Sequence, residues 1–150
     1  MLYKLLKIFA KLFIKIYCRK IKINKKELLQ LHGPVLLAAN HPNSFLDAVI
    51  LATLFKAPVF SLARGDAFKT KPIAAILNYL NILPVYRQRD GAKNLHRNYN
   101  TFDACIEIFK KNGVVLIFSE ALSENEWKLR PLKKGTAPFG NCRMAAAYST

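Results

Sequence analysis

The chain has 150 residues, 52% of them hydrophobic and 22% charged, which suits one domain with a real core and excludes wholesale disorder. Its formal net charge of +15, from 24 Lys+Arg against 9 Asp+Glu, points to an anionic partner: a nucleic acid, a membrane surface or a phosphorylated substrate. Cys18, Cys105 and Cys142 lack CxxC spacing, which argues against a disulfide framework or a cysteine zinc site and for a reducing compartment.

The charge is concentrated at the start. Residues 1–26 hold nine Lys/Arg and no acid, and the other 124 residues hold fifteen basic against nine acidic. Lys4, Lys7, Lys11 and Lys15 recur at helical spacing and form one narrow stripe. Leu2, Tyr3, Leu5, Leu6, Ile8, Phe9, Leu12, Phe13, Ile14, Ile16 and Tyr17 cover the rest of that helix. The lysines interrupt any run long enough to span a bilayer, and no small-residue cleavage site follows. Residues 1–26 are therefore expected to form an amphipathic helix in the bilayer interface, its lysines reaching anionic headgroups. The plainer alternative is a helix packed on the domain with solvated lysines.

Residues 34–40 (PVLLAAN) read as a buried strand behind a Gly-Pro punctuation. Ser44 opens a helix, FLDAVILATLF, that ends near Pro58, and residues 58–63 (PVFSLA) read as a second strand. Pro72 suits the first position of a helix whose Ile73, Ile76, Leu77 and Leu80 form a core-facing stripe. Residues 81–86 (NILPVY) are a third extended piece, and the polar, basic stretch 87–100 reads as a surface loop. Phe102, Cys105, Ile106 and Phe109 mark a further helix, stopped at Gly113, and residues 114–118 (VVLIF) a buried strand. Strands alternating with helices imply an α/β class with a mostly parallel sheet.

Ligands of open α/β sheets bind beyond the carboxyl ends of the strands. Three polar clusters fall there: 40–47 (NHPNSFLD), 84–87 (PVYR) and 118–120 (FSE). A histidine near a carboxylate suits general-base work, and an arginine can grip a phosphate bidentately. Each has a structural alternative. Asp47 can complete a capping box with Ser44, Arg87 can be one solvated charge among several, and Glu120 can serve a loop.

These clusters resemble, in order and interval, the sequence blocks of the 1-acylglycerol-3-phosphate acyltransferase (PlsC-like) family. Asn40-His41…Asp47 resembles its first block, Ile82-Leu83-Pro84-Val85-Tyr86-Arg87 its second, and Phe118-Ser119-Glu120-Ala121 its third. The resemblance covers roughly residues 30–137. Five residues separate His41 from Asp47 where the common form has four. Ser119 and Ala121 replace Pro and Gly, and Leu122-Ser123-Glu124 stands where the common form has Thr-Arg-Ser. The family continues with an apolar helix, a strand and a fourth block. Residues 138–150 (PFGNCRMAAAYST) read as neither helix nor strand. The transferase domain, 27–150, is thus expected to be incomplete at its C-terminal end, as in a truncated product whose sheet has lost a strand.

The resemblance implies a membrane-associated transferase that moves a fatty acyl group from acyl-CoA or acyl carrier protein to a glycerolipid hydroxyl in phospholipid synthesis. It implies His41 as general base, Asp47 as its orienter, and Arg87 on the acceptor phosphate. Glu120, with Asn43, Ser44 and Ser119, would line the acceptor site, and Lys133 and Lys134 would hold a headgroup or the donor. No metal or cofactor is called for beyond the acyl thioester co-substrate: His32, His41 and His96 lack ligand spacing. The expected partners are membrane lipids on the cytoplasmic face. Two alternatives stand: a non-catalytic membrane-surface protein and a nucleic-acid-binding module, the latter without any motif to support it. GxSxG is absent, which leaves Ser44 and Ser119 as poor nucleophile candidates.

Overall fold

The apolar runs of the sequence pair side by side as one parallel sheet, and the helices between them cover both faces. The structure is a computed structural model that describes residues 2–24, 26–30, 33–41, 43, 45–87, 91, 96–118 and 143–147. Its strands are β1 (Val35–Ala39), β2 (Val59–Arg64), β3 (Ile82–Val85), β4 (Val114–Phe118) and β5 (Arg143–Ala147). They lie in the order β3-β2-β4-β1-β5, and every pairing is parallel. The helices are α1 (Leu2–Tyr17), α2 (Phe45–Leu54), α3 (Lys71–Tyr79) and α4 (Arg97–Lys110). Short 3₁₀ turns occupy Lys26–Gln30 and Gly65–Phe68. The α/β architecture with a parallel sheet follows from the alternation of the two periodicities along the chain.

The strands bury both faces, which is why they read as continuous apolar runs rather than as an alternation. Val35, Leu37, Ala39, Val59, Val114 and Leu116 point to one side and pack with Phe55 and the apolar residues of α2. Leu36, Leu62 and Val115 point to the other and pack with Cys105 and Phe109 of α4. The chain moves in one direction across the sheet from β1 to β2 to β3 and reverses on the way to β4. Right-handed crossovers then put α2 and α3 on one face and α4 on the other.

Four expectations are corrected. Residues 143–147 form a strand that runs parallel to β1, with Val35 opposite Arg143 and Ala39 opposite Ala147. Its small residues carry little apolar pattern, so only pairing reveals it. The helix α4 begins at Arg97, inside the stretch read as loop, and its Ile106 is exposed rather than core-facing. Asn112, with φ 56°, is the left-handed residue that ends α4, and Gly113 donates back to the carbonyl of Ile108 at 2.8 Å. The stop therefore lies one residue before the glycine. Finally, no residue of α3 is buried, and Ile73 and Ile76 face outward.

The N-terminal helix also differs from expectation. It ends at Tyr17, and residues 18–24 are not helical. Ile14 is its buried anchor. Lys7 does not belong to a free lysine stripe: its Nζ donates to the carbonyls of Phe55, Lys56 and Ala57 at 2.6, 3.3 and 3.2 Å. Those carbonyls lie just past the C-terminal end of α2, near which the helix dipole favours a cation. Burial, and secondarily the neighbouring Lys11, pulls the Lys7 pKa below its ordinary value. The outward residues of α1 remain apolar and exposed, among them Ile8, Phe9, Leu12, Phe13 and Ile16. Among the described residues, no helix is long and apolar enough to cross a membrane.

Candidate active site

His41 lies two residues beyond the end of β1, and Asp47 lies in the first turn of α2. The turn between them folds the chain back on itself. The N–H of Leu46 donates to the carbonyl of Asn43 at 3.3 Å, and the N–H of Asn43 donates to Asp47 Oδ2 at 2.8 Å. The same Oδ2 stands 3.3 Å from His41 Nδ1. One carboxylate oxygen of Asp47 thus both accepts from the Asn43 backbone and faces the imidazole; Ser44, the partner of the expected capping box, lies outside the described residues. The longer spacing therefore does not separate the pair. Their side chains are 19% and 11% exposed, which strengthens the electrostatic interaction yet leaves the imidazole reachable.

The imidazole is held on its flat side as well. Phe118, the last residue of β4, stacks on it with ring centroids 3.7 Å apart and an interplanar angle of 18°. The register explains the contact: Phe118 is opposite Ala39, two residues before His41. Sequence reasoning placed Phe118 only in a block. The parallel pairing of β1 with β4 sets it against the imidazole. A neutral imidazole with its proton on Nδ1, toward Asp47, keeps a lone pair on Nε2 for an incoming hydroxyl.

Arg87 leaves the same carboxyl edge, two residues past β3. It does not join the His41–Asp47 pair. In the order β3-β2-β4-β1 three strand spacings separate the ends, roughly 14 Å at the usual interval. The residue is half-buried, its Nε shielded from solvent, so it is not one of a series of solvated charges. Its backbone position is fixed by its neighbour. Tyr86 donates its N–H to Asn98 Oδ1 and accepts from Asn98 Nδ2, both at 2.8 Å. Thr101 donates to the carbonyl of Pro84 at 2.8 Å. The exposed edge of β3 is thereby closed by two side chains of α4.

Between Arg87 and the His–Asp pair, at the end of β2, stands a group that sequence reasoning missed. Arg64 Nε donates to Asp66 Oδ1 at 3.1 Å, and its Nη2 pairs with Oδ2. The hydrogen bond from Arg64 lowers the Asp66 pKa from its ordinary value; loss of solvent opposes this, and the charges of Arg64, Arg87 and Lys69 add to the lowering. Gly65 brings these residues together: a Cβ there would lie 2.1 Å from the Tyr86 ring. The signal was present in the Arg-Gly-Asp triplet at the end of a predicted strand, but only the fold shows what the glycine accommodates. Gly65→Ala must push the Tyr86 ring aside. The expected cost is about 1–3 kcal/mol of stability, read by thermal melts. An unchanged melt would mean that the ring is free to move.

Ser44, Ser119, Glu120, Lys133 and Lys134 lie outside the described residues. Asn43 contributes through its backbone N–H, and its side chain is exposed. Among the described residues no group of three or more His, Cys, Asp or Glu could hold a metal ion. A family model described as Acyltransferase matches residues 20–139. No curated protein and no solved structure matches the chain.

Proposed function

The chain belongs to the acyltransferase family, and we propose that it moves a fatty acyl group from acyl-CoA or acyl carrier protein to the free hydroxyl of a glycerol-phosphate lipid such as lysophosphatidate. The observation that carries this reading is the His41–Asp47 pair at the carboxyl edge of β1. A hydroxyl is a weak nucleophile until a base takes its proton, and His41 Nε2 is the base. The hydroxyl oxygen attacks the thioester carbonyl, an ester C–O bond forms, the C–S bond breaks, and the proton on His41 passes to the departing thiolate. Asp47 keeps Nδ1 protonated and stabilises the imidazolium that forms between the two transfers.

The acceptor's phosphate is gripped by Arg87. The acceptor's hydroxyl and phosphate lie closer together than the ends of β1 and β3, so the long Arg87 side chain is assigned the reach from β3 toward the phosphate. Arg64 adds positive charge on the intervening strand. The exposed apolar residues of α1, beside the exposed Lys11 and Lys15, support a membrane-surface location, assigned to the cytoplasmic face. Lys133 and Lys134 are assigned to headgroup or donor phosphates, and Glu120, Asn43, Ser44 and Ser119 to the acceptor site.

The test is direct. The full chain, given a long-chain acyl-CoA or acyl carrier protein and lysophosphatidate in mixed micelles, is expected to release thiol in step with ester formed. Thioester loss without ester would indicate hydrolysis instead. Absence of both, with folded protein, would leave the surface-binding alternative.

A further inference from the structure

The helix α3 is apolar where it should be polar. Ile73, Ile76 and Tyr79 are 48%, 59% and 46% exposed, and their spacing puts them on one outward strip. Monomeric soluble proteins rarely leave such strips uncovered. The right-handed crossovers put α3 on the same side of the sheet as α2, over which α1 lies. The two outer helices also approach each other. A cavity of about 110 Å³ is lined by Tyr3 and Leu6 of α1 and by Leu80 and Ile82 just after α3. The inward side of α1 (Tyr3, Leu6, Lys7, Ala10) thus borders the end of α3, while its apolar Leu5, Ile8, Phe9 and Leu12 stay exposed.

Charge selects the occupant. From Ala67 to Gln88 the chain has no acidic residue, and Lys69 and Lys71 are exposed at the start of α3. Lys11 and Lys15 are exposed on α1. An apolar strip edged by cations and free of acids matches an anionic bilayer rather than a protein of ordinary surface.

We propose that α3 is a second bilayer-contacting element, whose Ile73–Ile76–Tyr79 strip enters the headgroup region of an anionic membrane beside α1. This rests on the reading of α1 as membrane-bound. It adds an orientation. The chain enters α3 directly from the Arg64–Asp66 group at the carboxyl edge of the sheet, so a bilayer lying on α1 and α3 meets the protein at the side where the acceptor phosphate is held.

Co-sedimentation with vesicles of phosphatidylglycerol and phosphatidylcholine tests it on the full chain. Phe9→Glu with Phe13→Glu removes the α1 contact. Ile73→Glu with Ile76→Glu removes that of α3. Each pair is expected to weaken partitioning by about tenfold or more, with the melting temperature unchanged because the side chains are exposed. Loss with the α1 pair alone overturns the role of α3 and leaves the reading of α1 intact. A wild-type chain that ignores anionic vesicles overturns both. A destabilised α3 pair, or one that only dissolves a dimer, shows that protein covers the strip and also overturns the proposal. As an independent readout, Ile76→Trp in a Trp127→Phe background should be quenched by brominated lipid; an unquenched signal on bound protein sinks the idea.

Discussion

Arg87→Ala in the full chain is expected to raise the acceptor KM by about 10- to 100-fold while leaving the donor KM nearly unchanged. The size follows from removing a charge-assisted hydrogen bond, about 1.5–3 kcal/mol, from binding shared by ground and transition states. The asymmetry follows from position. Arg87 stands three strand spacings from His41, so in the proposed reading it meets the acceptor's phosphate and not the thioester carbonyl. Arg87→Lys should recover only part of the loss, because a point charge replaces a planar fork that matches phosphate oxygens. Asn98→Ala provides a control of another kind. It leaves the guanidinium in place but frees the Tyr86 backbone that Asn98 clamps on both sides, and it should raise the acceptor KM less than Arg87→Ala does. Unchanged acceptor kinetics in Arg87→Ala would assign the residue to the protein's own surface.

The central sheet was legible because burial on both faces leaves a simple mark. Val35–Ala39, Val59–Arg64 and Val114–Phe118 are continuous apolar runs bounded by Gly, Pro or polar residues, and each was placed within one residue of its ends. The strand Arg143–Ala147 was missed for the complementary reason. Three alanines carry no strand preference, and their state is decided by the free edge of β1. The stripe of α3 was read correctly as a helix and wrongly as a core face. Periodicity reports that apolar residues share a side, and it is silent on what lies against that side: sheet, partner or lipid.

The candidate site shows the same division. Sequence order brought His41, Asp47 and Arg87 to one edge once the strands were taken as parallel. The stacking of Phe118 on His41, the clamp of Asn98 on Tyr86 and the fit of Gly65 against the Tyr86 ring are contacts between residues far apart in the chain. Strand register and helix placement create them, so no local pattern foretells them. Lys7 makes the point about charge. It sits in a stripe of identical residues, yet its Nζ binds the carbonyls just past the end of α2, because its height on the helix meets that segment.

His41→Ala is expected to cut turnover by about 10²–10⁴-fold, the usual contribution of a general base, with the chain still folded. Asp47→Asn should also reduce turnover, for a reason separable from stability. The amide oxygen can still accept the N–H of Asn43, which Asp47 Oδ2 takes at 2.8 Å, so the turn before α2 is kept. What disappears is the negative charge 3.3 Å from His41 Nδ1, and with it the support for an imidazolium. If Asp47 served only the helix start, the same substitution would cost at most about 1 kcal/mol and leave turnover per folded molecule intact. In the proposed mechanism the two residues act on one proton, so their effects should not multiply. Asp47→Asn added to His41→Ala is expected to change turnover no further, because without the imidazole there is nothing for the carboxylate to orient. Turnover and thermal melts on the two single variants and the double variant give the answer. A double variant whose loss equals the product of the single losses would show that Asp47 works independently of His41, and near-normal transfer by His41→Ala would remove the mechanism altogether.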